Sequence, residues 1–478
     1  MGLTLTLLVA GVVGGTALLV ALQWLRRTLR RPDGPERVVA LLLVLLVLES
    51  ALYANQSDVP TGVFHPQAGP VSFRIFDVLI PLALIALVSV RRRVSYVPGT
   101  AMIWTALLLW LAFAGVEGFI YGNPSDMISY HAKAILYLGA FALTASMPPG
   151  RWLESGAIRA AVAISSAVAA ILMVTATAGL ATTIHLPGLT VYGAGAMGAD
   201  AATIFATLGI GTFAVALCRD EHRLRTVLVS LPLLAAPLVA GQRAAIVGEA
   251  IAVGVAIGLV PFALRRVRMT PSDVGLGLVA AVGLLALVLT VDALTTSSKV
   301  SLPLASQLTR TFESRGKQLS ATERINQWDQ ARSMISARPV FGWGLGHEYD
   351  YYSPGFHSFL KTDLTHNIAL DLWVRTGIVG LLLFLAAAIA AVRDAVVAWA
   401  RGPDGSTGPI ALICAAGLVG LLSKGMFESL FEKYRLTILI GCLAGMCVAL
   451  AREVAVAAPQ PSPSPAEPPA RSLRLLPT

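Results

Sequence analysis

The chain has 478 residues, of which 56% are hydrophobic and 13% charged, and a formal net charge of +9. A soluble domain is roughly a quarter charged, so this composition excludes water as the main solvent. The basic residues fall in short clusters between apolar runs, which marks them as topology determinants and excludes a nucleic-acid footprint.

In chain order, runs suited to crossing a bilayer core about 30 Å thick lie at 2–24, 38–54, 75–90, 100–120, 127–147, 157–179, 197–217, 226–241, 244–264, 274–294, 366–391, 408–427 and 436–451. They predict an all-α polytopic membrane protein, a bundle of about 12–13 transmembrane helices. Residues 1–294 form an N-terminal transmembrane bundle of about ten helices. Residues 295–365 form one large extracytoplasmic loop containing a short amphipathic helix, and 366–452 hold about three further transmembrane helices. The Pro- and Ser-rich stretch within 453–478 has too little apolar surface to fold and reads as a disordered cytoplasmic tail. The first run lacks a basic leader and continues into RRTLRR, so it reads as a retained helix, not a cleaved signal.

Arginines cluster in alternate connections: Arg26 to Arg37, Arg91 to Arg93, Arg151 and Arg159, Arg219 to Arg225, Arg265 to Arg268, and Arg393 with Arg401. Basic loops face the cytoplasm. The alternation therefore places the N-terminus and residues 295–365 outside and the C-terminus inside.

Charged side chains are costly within lipid and are functional candidates by default. Asp371 and Arg375 are four apart and suited to pairing along one helix face, while Glu117, Lys424 and Glu428 lie near outer helix ends. Arg243, in AGQRAA, stands between two helices joined by almost no loop, where a guanidinium fork suits a phosphate; an interfacial anchor is the plainer reading. Lys133, near the outer end of the fifth run, is a candidate second cation for the same cavity.

In the outer segment, Trp328, Ala331, Met334 and Ile335 follow helical spacing, predicting an amphipathic helix over 322–337 laid along the membrane surface. GWGLG at 342–346 lacks the strand and βαβ setting of a dinucleotide fingerprint. No HExxH or close His/carboxylate cluster marks a metal site. His366 opens the next membrane helix in LTHNIAL, with Thr365 as the expected N-cap. An imidazole there is either a capping residue or, with its pKa depressed beside a positive helix end, a neutral general base.

Two stretches, ERINQWDQARSMISARPVFGWGLGHEY and HNIALDLWVRTGIVGLLLF, together resemble the O-antigen ligase and polymerase superfamily: a helix with Arg and Trp, an "rP-fGwG-G" turn, a variable loop, then "HN--L" and "GiiGl". FRIFDVLIPLAL and AGQRAAIVG add weaker similarity. The resemblance implies a glycosyltransferase at the outer face of the cytoplasmic (inner) membrane. It would move a glycan from an undecaprenyl diphosphate donor onto a glycan or lipid acceptor hydroxyl with inversion, needing neither cofactor nor metal nor nucleic-acid partner. His366 would be the catalytic base; Arg243 and Arg324, with Lys133, would hold the diphosphate. Asn367, Tyr349, Tyr352 and Arg310 would contact the acceptor or glycan. The family usually has an acidic residue where this chain has Arg375. The alternative is a flippase or transporter of lipid-linked saccharide, which should show charges near midplane in paired discontinuous helices.

Overall fold

A computed structural model describes residues 2–52, 67–68, 71–72, 74–90, 99–177, 184–186, 189–191, 199–218, 223–240, 243–259, 261–262, 315–363, 365–402, 407–431 and 433–457. The chain is an all-α polytopic membrane protein. Its helices are α1 (Gly2–Leu29), α2 (Gly34–Leu52), α3 (Ile75–Ser89), α4 (Thr100–Ile120), α5 (Ser125–Leu138), α6 (Ala140–Ala145), α7 (Pro149–Glu154) and α8 (Gly156–Thr177). There follow α9 (Ala199–Cys218), α10 (Arg223–Ala240), α11 (Arg243–Leu259), α12 (Arg315–Ala337), α13 (Ile368–Arg401), α14 (Thr407–Gly425) and α15 (Tyr434–Ala457). In lipid a helix satisfies its own backbone polar groups, which is why apolar runs of this length take no other form. Among the described residues α4, α8, α13, α14 and α15 are long and apolar enough to cross a membrane. Twelve of the thirteen apolar runs fall on helices; the run at 274–294, like the expected tail beyond 457, lies outside the described residues.

The packing explains which helices are central. Every residue of α15 from Tyr434 to Leu450 is buried, and α14 is buried on nearly all sides. A helix apolar all round belongs inside a bundle. The expected single span at 127–147 is broken at Gly139 into α5 and α6.

Contacts at the helix termini sort the bundle into two ends. At one end, Arg151 Nη1 donates to the Pro32 carbonyl (3.0 Å), Trp399 Nε1 to the Leu259 carbonyl (2.7 Å) and Arg452 Nη2 to the Met147 carbonyl (3.4 Å), so the helix ends beside the described arginine clusters come together; Arg91 to Arg93, Arg219 and Arg265 to Arg268 lie outside the described residues. At the other end lie the C-termini of α2 and α14 and the N-termini of α3, α9, α13 and α15.

Among the described residues there are three short antiparallel hairpins: β1 (Gln67–Ala68) with β2 (Val71–Ser72), β3 (Ile184–Leu186) with β4 (Leu189–Val191), and β5 (Tyr349–Ser353) with β6 (Ser358–Thr362). The β5–β6 hairpin occupies what reads in the sequence as an aromatic loop. Beside it, α12 begins seven residues earlier than the spacing predicts. Ala331, Met334 and Ile335, the expected face, are buried against Tyr349 and Val374, so the helix docks on the hairpin and the start of α13.

GWGLG is a structural plug. Its three glycines all have positive φ. The turn threads between α4 and α13: Trp343 and Gly344 N–H donate to the Val374 and Arg375 carbonyls (2.8 and 3.0 Å), and Leu345 N–H to the Ala114 carbonyl (2.9 Å). A Cβ on Gly344 would stand 2.3 Å from the Gly118 nitrogen. On the facing side Gly377 (φ 67°) kinks α13, and a Cβ there would lie 1.8 Å from the Val340 carbonyl oxygen. Both positions need glycine, for conformation and for space.

Candidate active site

The site grows from the junction of α12 and α13. Asn367 is the N-cap of α13: its Oδ1 accepts from the N–H groups of Ala369 and Leu370 (3.0 and 3.1 Å), while Nδ2 donates to the Met426 carbonyl (3.0 Å). This corrects the expected cap at Thr365, whose hydroxyl instead donates to the Asn367 carbonyl (2.9 Å). Trp328 Nε1 donates to the Thr365 carbonyl (2.8 Å), tying the strip to α12. Held on both sides, His366 takes a left-handed backbone (φ 50°), which only a few per cent of non-glycine residues adopt. Strain of this kind persists where the surroundings over-determine it.

His366 Nδ1 lies 2.9 Å from Oε1 of Gln327, a side chain only 4% exposed. A carboxamide oxygen only accepts, so Nδ1 carries the proton and Nε2 the lone pair. Nε2 has no hydrogen-bond partner among the described residues. Burial, reinforced by the Arg324 cation, pushes the imidazole down to about 4; Glu428 opposes this and Lys433 adds to it. The ring is therefore neutral at pH 7. The sequence expectation of a depressed pKa is met, with burial and Arg324 in place of the helix end as its causes. Arg324 precedes Gln327 by one turn on the same face of α12, is half-buried, and has no carboxylate partner among the described residues. The neighbouring Glu323 instead accepts from the Ser353 hydroxyl (2.6 Å).

Behind His366 stands a buried network of charges. Lys424 Nζ lies 3.2 Å from Glu428, and Lys433 Nζ 3.2 Å from both Glu428 and Asp200. Arg435 is 2.9 Å from Glu49 and 3.8 Å from Asp200, and the Tyr434 hydroxyl also donates to Glu49. Burial disfavours the charged forms of Glu428 and Lys433, yet their partners outweigh it: Lys424 and Lys433 hold the carboxyl below its usual range, and Asp200 with Glu428 holds the Lys433 ammonium above its own. The Arg74 guanidinium lies 3.8 Å from the centre of the Tyr434 ring.

The other expected site residues are distributed as follows. Arg243 begins α11, at the same end of the bundle as Lys424, because Gly248 of α11 packs on α14: a Cβ there would meet the Gly420 carbonyl oxygen at 2.7 Å and Lys424 Cβ at 3.3 Å. The Arg243 side chain and all of Arg310 lie outside the described residues. Lys133 is 2.8 Å from Asp77, which also accepts from the Tyr137 hydroxyl. Tyr349 is buried in the cluster under α12; Tyr352 is 42% exposed and meets Phe359 edge to face. Asp371 and Arg375 pair at 2.9 Å, and Arg375 also donates to the Asp363 carbonyl (2.6 Å).

Two participants escape sequence reasoning. Gln327 carries no motif signal beyond lying one turn from Arg324. His131 accepts at Nδ1 from Gly346 N–H (2.9 Å) and therefore donates from Nε2 to Asp363 (2.9 Å), pinning the glycine turn to the strand that leads to His366. Burial would raise the Asp363 carboxyl, but the His131 bond and Arg375 hold it below its usual range.

Residues 227–385, about a third of the chain, match the family model described as O-antigen ligase. The match supports the likeness of this chain to the O-antigen ligase and polymerase superfamily. The matched stretch contains Arg243, Arg324, Gln327, the glycine turn, His366 and the kink at Gly377, so this O-antigen ligase region coincides with the site just described. It supports a membrane glycan-transfer role of the O-antigen ligase or polymerase type. No curated protein matches the chain.

Proposed function

We propose that the protein transfers a glycan from an undecaprenyl diphosphate donor to an acceptor hydroxyl, with His366 as general base. The observation that carries this reading is a neutral, Gln327-oriented imidazole beside the Arg324 cation, its Nε2 without a hydrogen-bond partner and Arg324 without a carboxylate among the described residues. The acceptor hydroxyl gives its proton to Nε2 as its oxygen attacks the anomeric carbon from the face opposite the leaving group. The bond from that carbon to the diphosphate oxygen breaks, and the electron pair leaves with the prenyl diphosphate. Arg324 and the Arg243 at the head of α11 hold the diphosphate and stabilise the charge developing on it. Attack opposite the leaving group inverts the anomeric centre, and the scheme requires no metal ion.

Binding of the donor also prepares the base. A diphosphate beside Arg324 offsets the cation that depresses His366, raising the imidazole toward the range where proton transfer at neutral pH is efficient. The site lies at the end of the bundle opposite the basic connections, which supports an extracytoplasmic face in a cytoplasmic membrane.

The test is incubation of the purified protein in lipid vesicles with an undecaprenyl diphosphate oligosaccharide and an acceptor glycan, following free undecaprenyl diphosphate, glycan length and the configuration of the new linkage. Inverted product is expected. A retained anomer contradicts the single displacement, and movement of the lipid-linked saccharide across the bilayer without bond cleavage contradicts the assignment as an enzyme.

A further inference from the structure

A cavity of about 600 Å³ lies away from His366, toward the basic end of the bundle between α2, α8, α9, α10, α14 and α15. We propose that it binds an anionic phospholipid, taking an acyl chain into its apolar interior and the headgroup phosphate at Arg159 and Arg225.

The interior is made by Leu43, Leu208, Val215, Ile413, Leu439 and Met446. Thr207 and Thr212 also line it, but their hydroxyls donate to the Thr203 and Leu208 carbonyls of their own helix (2.9 and 2.7 Å), so the wall they present is apolar. Along α9 the lining runs from Thr207 to Val215, about 12 Å at 1.5 Å per residue, close to the depth of one leaflet's hydrocarbon.

The mouth has the opposite chemistry. Arg159, near the start of α8, and Arg225, near the start of α10, both line it and both are exposed. Among the described residues neither pairs with a carboxylate: Arg159 donates only to the Glu154 carbonyl at 3.4 Å, and Asp33 on the adjoining surface is taken by Arg37 at 2.7 Å. Trp152, also in the lining, is 6% exposed and so placed to report on what fills the slot. Two guanidiniums at the mouth of an apolar slot match the phosphate oxygens of an anionic phospholipid above its acyl chain. The inference stands on this cavity alone and is independent of the role given to His366.

The experiment uses the full chain in phosphatidylcholine bilayers doped with phospholipids brominated on their acyl chains. The Trp152 signal is read as the fluorescence difference between the wild type and Trp152→Phe. Brominated phosphatidylglycerol should quench it at a mole fraction at least about fivefold below that of brominated phosphatidylcholine, as one to two juxtamembrane cations confer. The double variant Arg159→Gln/Arg225→Gln should lose that preference, and Arg159→Lys/Arg225→Lys should keep it. Gly211→Leu, which pushes a side chain into the slot toward Ile413, should abolish Trp152-specific quenching by either lipid. Equal quenching by the two lipids in the wild type, or a preference that survives the glutamine pair, overturns the proposal.

Discussion

Two groups of charges occupy the same end of the bundle and behave in opposite ways. In the network of Glu49, Arg435, Asp200, Lys433, Glu428 and Lys424, each charge lies within 4 Å of an opposite one. At the junction of α12 and α13, by contrast, neither a carboxylate for Arg324 nor a partner for His366 Nε2 is found among the described residues, and the His366 backbone is left-handed. A buried charge that is fully paired locks helix ends together, since removing one partner strands the other. A cation and a lone pair left open side by side hold no helices together and are available to a ligand. The difference between the two regions is therefore one of partners, not of charge density, and it sets the scaffold apart from the candidate site.

Substitutions should divide along that line. His366→Ala is expected to lower glycan transfer by about 10²- to 10⁴-fold, the usual worth of a general base, with thermal unfolding in detergent little changed. Glu49→Ala should do the reverse. It leaves Arg435 short of a partner inside the bundle and should destabilise by about 3–5 kcal/mol, seen as a drop in denaturation midpoint, while activity per folded molecule is preserved. If instead Glu49→Ala abolished turnover in well-folded protein, the paired network would have to be counted as part of the chemistry. Arg324→Gln should weaken donor binding and rate together by about tenfold to a hundredfold, the loss of one charge-assisted hydrogen bond of about 1.5–3 kcal/mol. The control is Arg332→Gln on the same helix, where an exposed pair with Asp329 is worth about 0–1 kcal/mol and transfer should be unaffected. Smallest is Phe359→Ala, which removes the exposed edge-to-face contact with Tyr352 and should cost about 0.5–1.5 kcal/mol. A large loss of transfer there would show that the hairpin touches sugar.

Much of this architecture is legible in the sequence because a bilayer permits few solutions. Twelve apolar runs became helices, and the alternation of basic connections reappears as a bundle with one arginine-rich end. His366 and Arg324 are legible because they sit in a motif whose order is preserved. What is not legible depends on distance or on local competition. Glu49 and Arg435, or Asp200 and Lys433, are separated by hundreds of residues, so no spacing rule joins them. Gln327 has no signature until the chain folds it against His366. At LTHNIAL two capping residues compete. Asn367 wins because its amide both accepts from α13 and donates to Met426, while Thr365 turns its hydroxyl to Asn367. GWGLG carried a recognisable spacing, yet only the approach of Gly118 to Gly344 and of Val374 to Gly342 shows that the glycines serve packing.

The central claim is the state of one imidazole: neutral, protonated at Nδ1, its Nε2 open. Nitrogen-15 spectroscopy of histidine-labelled protein in bilayers, with His366→Gln supplying the assignment, reads that state directly. Because burial and Arg324 disfavour the cation, a ring whose free form titrates at about 4 should stay neutral at every pH above about 5 and gain charge only below it. Adding a polyprenyl diphosphate should move the titration upward. A resonance showing the proton on Nε2, or an imidazolium already present at pH 7 without donor, would contradict the account.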